Sequence, residues 1–309
     1  MRLFILSVAL VAAAGCAERR LYNVTPDRPS PDRTASTSTA GAPADSLSTY
    51  MAKFREAAAS AKPEGRPTVR TVEASDPALS AALLAATAAP SPESYRELAQ
   101  EYRRLHVYDR SFDYLTRALK FDPKDAMTHD ALARTWRDAG APHLGVGDAY
   151  RAIYYAPKSA AARNTLGTLF QAMGRRAEAR TQYEMAARLD PVAGYAHNNL
   201  CYGWILEGDA SRALQACRRA LSLDPESPIA HNNAGLAYAL AGDMTAARES
   251  FAHAGRAAAA YNSGVVNLAT QQWDAASKDF LDALAVDPSL RSAAMRARQA
   301  WSMKNGGAQ

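Results

Sequence analysis

KFDPKD (120–125), YYAPKS (154–159), RLDPVA (188–193) and SLDPES (222–227) are the four short stretches on which the reading of this chain turns. Their prolines, Pro123, Pro157, Pro191 and Pro225, stand 34 residues apart, and all but Pro157 follow an aspartate. A fixed period of this length marks a chain built from stacked copies of one supersecondary unit. Placing each proline at position 32 of its unit starts units at residues 92, 126, 160, 194 and 228. Every other column then tests the register independently.

The columns agree with it. Position 8 holds Ala99, Ala133, Gly167, Cys201 and Gly235, all small, as a close approach of two helices requires. Position 27 holds Ala118, Ala152, Ala186, Ala220 and Ala254, and position 20 holds Ser111, Gly145, Ala179, Ala213 and Ala247. Position 11 takes the opposite kind of residue, a large filler: Tyr102, Trp136, Phe170, Trp204 and Tyr238. Leu98, Leu132, Leu166 and Leu200 share position 7, and Gly140, Gly174, Gly208 and Gly242 mark a turn. Columns with different steric demands are met by one register, and such consistency across levels identifies a fold.

The pattern resembles the tetratricopeptide repeat, a helix–turn–helix unit of this period, over residues 92–290. The resemblance implies an all-α fold, a right-handed superhelical solenoid of helix pairs, in which each pair buries its apolar stripe only by stacking on its neighbours. A sixth repeat ends at Asp287-Pro288 and puts Gly264, Ala276, Phe280 and Ala283 in their columns. Pro288 lies 63 residues after Pro225 where two periods would give 68, so five residues are missing; the loss is expected to shorten a turn there. Repeat two is atypical, with Pro142, Gly145 and Gly147 near the start of its second helix. Glycine within a helix costs about 1 kcal/mol relative to alanine, so that helix is expected to start late or fray. Residues 291–309 form a capping helix and tail, with Arg291, Arg296 and Arg298 as the polar surface an open end needs.

The other end of the chain carries a different message. Met1-Arg2 and the apolar run Leu3 to Ala14 read as an export signal over residues 1–15, too short to span a bilayer permanently. Its close, Ala13-Ala14-Gly15-Cys16, resembles the bacterial lipobox, although that pattern prefers leucine at the place of Ala13. The resemblance implies a lipoprotein lipidated on Cys16; the alternative is ordinary cleavage with Cys16 incidental. Ala17, where aspartate would signal retention at the inner membrane, favours the periplasmic face of the outer membrane. Residues 16–45, rich in Pro, Ser, Thr and Ala, make a tether that cannot offset its own ordering entropy. Residues 46–91 hold short helices and a linker. Leu47, Tyr50, Met51 and Phe54 mark one helical face, and Pro77 to Ala88 reads as a second helix.

The repeats leave no segment for a catalytic domain, so the chain is expected not to be an enzyme and to need no cofactor, metal or small-molecule substrate. His129, His197 and His231 share position 4, where the family often has tryptophan, and repeats 8–10 Å apart cannot share one metal ion. The stretch GAPHLGVGD (140–148) lacks the Lys-Ser/Thr of a phosphate loop. A net charge of +5, with no run of Lys and Arg, argues against nucleic acid.

The expected partners are other proteins. In the family, positions 2, 5, 9, 12 and 13 of the first helix line a concave groove. The resemblance assigns to it Asn164, Thr168 and Gln171, then Tyr195, Asn198, Tyr202 and Ile205, then Ile229, Asn232, Leu236 and Leu240. Asn164, Asn198 and Asn232, all at position 5, could hold an extended peptide by its backbone, since an amide both donates and accepts. Asn199, Asn233 and Asn262, at position 6, belong to the scaffold. In repeats one and two, Arg96, Gln100, Arg103, Arg104, Arg134 and Arg137 form a basic lip suited to carboxylates, or simply a solvated face. Cys201 at position 8 and Cys217 at position 24 are nearly equidistant from the turn at Gly208-Asp209 and so should face each other. They read as a disulfide, or as two small buried residues. By architecture the chain is similar to the lipoproteins that assemble type IV and Tad-type pili and secretion systems. Regulation of a peptidoglycan enzyme is the alternative.

Overall fold

The computed structural model describes residues 76–305, and these form fourteen α-helices with no strand among them. The expected signal peptide, Cys16, the expected tether, the helix expected at 47–54 and residues 306–309 lie outside the described residues. Two compact units divide the chain, the first ending at Arg175 and the second beginning at Arg176. The first contains α1 (Pro77–Ala88), α2 (Pro92–Arg104), α3 (Tyr108–Phe121), α4 (Ala126–Asp138), α5 (Pro142–Tyr155) and α6 (Ala160–Ala172). The second contains α7 (Arg176–Leu189), α8 (Gly194–Glu207), α9 (Ala210–Leu223), α10 (Pro228–Ala241), α11 (Met244–Ala252), α12 (Arg256–Ala269), α13 (Trp273–Val286) and α14 (Arg291–Asn305). Within each unit successive helices pack, and first helices of neighbouring repeats also touch, as α4 does α2 and α6, and α10 does α8 and α12.

The Asp-Pro stretches build the turns between repeats. At each one the residue three after the aspartate, or after Ala156, donates its N–H to that residue's carbonyl; Asp125 N to Asp122 O is 3.2 Å and Ser159 N to Ala156 O 2.9 Å. Proline supplies the fixed φ that the second place of such a turn needs. Asp122 and Asp190 also accept, through Oδ1, from the N–H two residues on, at 2.8 and 3.1 Å. The next helix is then capped by Asp125, Ser159 or Ser227, whose side-chain oxygens accept from orphan N–H groups of α4, α6 and α10. The position-4 histidines fasten the same turn. Nε2 of His129, His197 and His231 donates to the carbonyl of the proline six residues earlier, at 3.0, 3.0 and 2.8 Å. Repeat three, whose turn has Ala156 in place of aspartate, has Arg163 in place of the histidine.

Inside a repeat the pair closes on its small residues. A Cβ on Gly235 would lie 2.4 Å from the ring of Phe251, and one on Gly264 2.9 Å from the ring of Phe280. These are positions 8 and 24 of repeats five and six. In repeat four the same two positions hold Cys201 and Cys217, which form a disulfide with Cα atoms 5.1 Å apart.

Two irregular places differ from the sequence-based expectation. The second helix of repeat two neither starts late nor frays: α5 runs the full fourteen residues from Pro142. Proline is preorganised for the first helical position, and Gly145 is demanded by packing, since a Cβ there would lie 2.8 Å from the carbonyl of Ala133. The five missing residues shorten a helix instead of a turn, leaving α11 with nine residues where the other second helices have fourteen. The end helix α14 also carries more than a polar surface, because Met295, Trp301 and Met303 stand exposed on it beside the arginines.

The turn glycines Gly140, Gly174, Gly208 and Gly242 all adopt positive φ. Repeats one and six place His106 (φ 64°) and Gln271 (φ 62°) in that column. A left-handed conformation costs a non-glycine residue about 1–2 kcal/mol. Gln271→Gly is therefore expected to stabilise the chain by about 1 kcal/mol, whereas Gly235→Ala should destabilise it by about 1–3 kcal/mol through overpacking against Phe251. Urea titration of the two variants beside the parent measures both.

Candidate partner-binding face

The first helices α2, α4 and α6 of one unit, and α8, α10 and α12 of the other, carry the side chains assigned to a groove. In the first unit the arginines are already engaged. Arg96 pairs with Asp125 and, at 3.0 Å, with Glu93. Arg103 pairs with Asp138 at 2.7 Å, Arg104 with Asp76 and Glu101 at 2.7 and 2.6 Å, and Arg134 with Asp130. Arg137 meets Asp138 at 2.9 Å and donates to Thr168 Oγ1 at 2.8 Å. The arginines assigned to the basic lip are thus members of ion pairs, of which Arg103–Asp138 ties repeat one to repeat two and Arg96–Asp125 reaches the cap of α4. Burial pulls the Arg103 guanidinium below the usual arginine range, Asp138 opposes that shift, and Arg134 and Arg137 add to it. Arg104, about half-exposed, is raised by its hydrogen bonds to Asp76 and Glu101. Between α2, α3 and α4 lies a cleft of about 260 Å³ lined by Glu93, Arg96, Glu97, Gln100, Arg103, Met127 and Arg134, among others. Its walls carry both signs of charge.

In the second unit the asparagines do something other than line a groove. Asn233 Nδ2 donates to Asn198 Oδ1 at 2.9 Å, and Asn262 donates likewise to Asn232 Oδ1. Each position-5 amide is therefore held by the position-6 amide of the following repeat, which makes a joint between first helices. Asn232 is buried, as are Ile205 and Leu236. These three are corrected from groove contacts to interior residues: they lie where the first helices pack on one another or on their partners. Asn164, Thr168, Gln171, Asn198, Tyr202 and Leu240 are partly buried. Desolvation raises the Tyr202 hydroxyl above its ordinary pKa, with Arg176 opposing.

What remains open to a partner is position 2. Tyr195 is 45% exposed and Ile229 47%, and Met127, in the same column of repeat two, is 64% exposed. Met127 was not among the residues assigned from the sequence, although its column was legible there. Among the described residues no group of three or more His, Cys, Asp or Glu side chains is placed to hold a metal ion. No helix among them is long and apolar enough to cross a membrane.

No family model matches the chain, and no curated protein matches it. Solved structures do. PilW, described as a widely conserved type IV pilus biogenesis factor, is 22% identical over 64% of this chain and 94% of its own, with a TM-score of 0.56. PilF of Pseudomonas aeruginosa is 17% identical over 68% of this chain and 96% of its own, at 0.55. A chain of the Cut9-Hcn1 hetero-tetramer of the APC/C is 16% identical over 74% of this chain and 46% of its own, at 0.61. The fold is of the tetratricopeptide type. At these identities the likeness is one of fold alone.

The amide joints separate structural from surface roles. Asn232→Ala leaves the Asn262 amide unpaired in a buried site and should cost about 1–3 kcal/mol in urea unfolding, whereas Ile229→Ala, on the exposed column, should change stability by less than about 0.5 kcal/mol.

Proposed function

We propose that this chain is a non-catalytic scaffold that captures partner proteins on the exposed column of its first helices and is held at the outer membrane by lipid on Cys16. In this reading residues 1–15 are removed on export, 16–45 form the tether, 46–91 link it to the repeats and 92–290 carry the binding face. The observation that carries the reading is the position-2 column. In the second unit Tyr195 and Ile229 hold large, half-exposed side chains at this place in successive repeats, and in the first unit Met127 does so by itself. Large apolar side chains left half-exposed at the same place in successive repeats are what a partner surface supplies. Burying the part of each that is still exposed would be worth about 1 kcal/mol. A lipid-anchored scaffold of this fold suits the assembly of a pilus or secretion system, and likeness in fold to PilW and PilF supports that choice of system.

Cys16→Ala is expected to move the protein from the outer-membrane fraction to the soluble periplasm with its helical content unchanged. Retention of Cys16→Ala in the membrane fraction on a sucrose gradient contradicts the anchor. Crosslinking in the native cell from a photoreactive residue at position 195 should yield a pilus or secretion component, and this product should be lost in Ile229→Asp. Recovery of a peptidoglycan enzyme instead overturns the assembly role and leaves the scaffold.

A further inference from the structure

The outer face of α5 carries a stripe unlike that of the other second helices. His143, Gly147, Tyr150 and Tyr154 follow the i, i+4, i+7, i+11 spacing of one helical face, and all four are exposed, Tyr150 at 51% and Tyr154 at 80%. The same columns hold Asp109, Asp113, Thr116 and Lys120 on α3, Ser211, Gln215, Arg218 and Ser222 on α9, and Asp274, Lys278, Leu281 and Ala285 on α13. Only α5 among these is both uncharged and aromatic. Tyr154 is also braced, its ring meeting Tyr155 edge-on at 5.3 Å while Tyr155 stacks on His129 at 5.7 Å.

Gly147 is the second observation. It sits in the middle of a fourteen-residue helix, where glycine is unfavourable relative to alanine. A Cβ there would meet nothing within 4 Å, in contrast to Gly145 two residues earlier. Nothing inside the chain asks for glycine at 147. A helix surface that omits a side chain between two tyrosines offers a hole beside two knobs, and it lets another backbone come close.

We propose that this face is a homodimer contact in which α5 of two copies packs antiparallel about a two-fold axis midway between Gly147 and Tyr150. That axis sets Gly147 of each copy under Tyr150 of the other, and His143 of each against Tyr154 of the other, so all four members of the stripe are matched within one register. Self-complementarity of this kind is what an isologous interface needs. Charge agrees with it: none of the four members of the stripe is a carboxylate, lysine or arginine, so no like charges meet along α5. A contact of one helix face lies at the small end of stable interfaces, so the dimer should dissociate in the range of about 1–100 μM.

Sedimentation equilibrium of the purified chain tests this, with Gly147→Leu and Tyr154→Lys as variants. The expected result is a concentration-dependent monomer–dimer equilibrium, weakened at least about tenfold by either substitution, with Gly147→Leu melting no lower than the parent because its side chain meets open space. A chain that stays monomeric at about 100 μM overturns the proposal, as does a dimer whose affinity Gly147→Leu leaves unchanged.

Discussion

Everything in this structure depends on how closely the two helices of a repeat approach at position 8. The gap is set by whatever stands across it at position 24. In repeats five and six it is filled by a phenylalanine ring against glycine, and a Cβ at either glycine would collide with that ring. In repeat four the two sides are joined by a covalent bond, Cys201 to Cys217. These are two chemical solutions to one steric demand. The first contributes aromatic burial; the second restricts the unfolded chain, by about 3 kcal/mol for a loop this short in the chain-entropy model. Because each pair buries only part of its apolar surface alone, an error at one position 8 also weakens the stacking of both neighbours.

Between repeats the ties are polar and follow the same period. The Asp-Pro turn, the cap that follows it and the histidine that returns to the proline carbonyl form one unit of turn chemistry. The amide pairs Asn198–Asn233 and Asn232–Asn262, with the ion pair Arg103–Asp138, fasten successive first helices to each other. Polar side chains spent on such joints are not available to a ligand. This is why the large apolar side chains left exposed on α8 and α10 reduce to Tyr195 and Ile229.

How far the sequence could be read follows from which residues act alone and which act in pairs. A column that must be small, or must be glycine at positive φ, states its requirement in the identity of one residue, and the helix from Pro77 to Ala88 and the repeat register were legible for that reason. The groove was not. Whether Asn232 faces a ligand or a neighbour depends on Asn262, thirty residues later, and one asparagine looks the same in both roles. For the arginines of repeats one and two, the partners Asp125 and Asp138 lie in a turn and at the end of another helix, while Asp130 sits four residues before Arg134 on α4 and was legible as its partner. A signal for the histidine latch was present: proline and histidine six residues apart recur three times, and both the aspartate and the histidine are missing around Pro157. The shortened α11 was visible as a count of missing residues, but the count could not say which element had lost them.

The claim that positions 8 and 24 are one interchangeable steric unit is tested most directly by exchanging solutions between repeats. Cys201→Gly with Cys217→Phe installs in repeat four the pair that repeat five uses, and Cys201→Ser with Cys217→Ser removes the disulfide with no replacement. Denaturant unfolding of both, beside the oxidised parent, should show the Gly/Phe chain recovering at least half of the stability that the Ser/Ser chain loses. A Gly/Phe chain no more stable than the Ser/Ser chain would contradict the account.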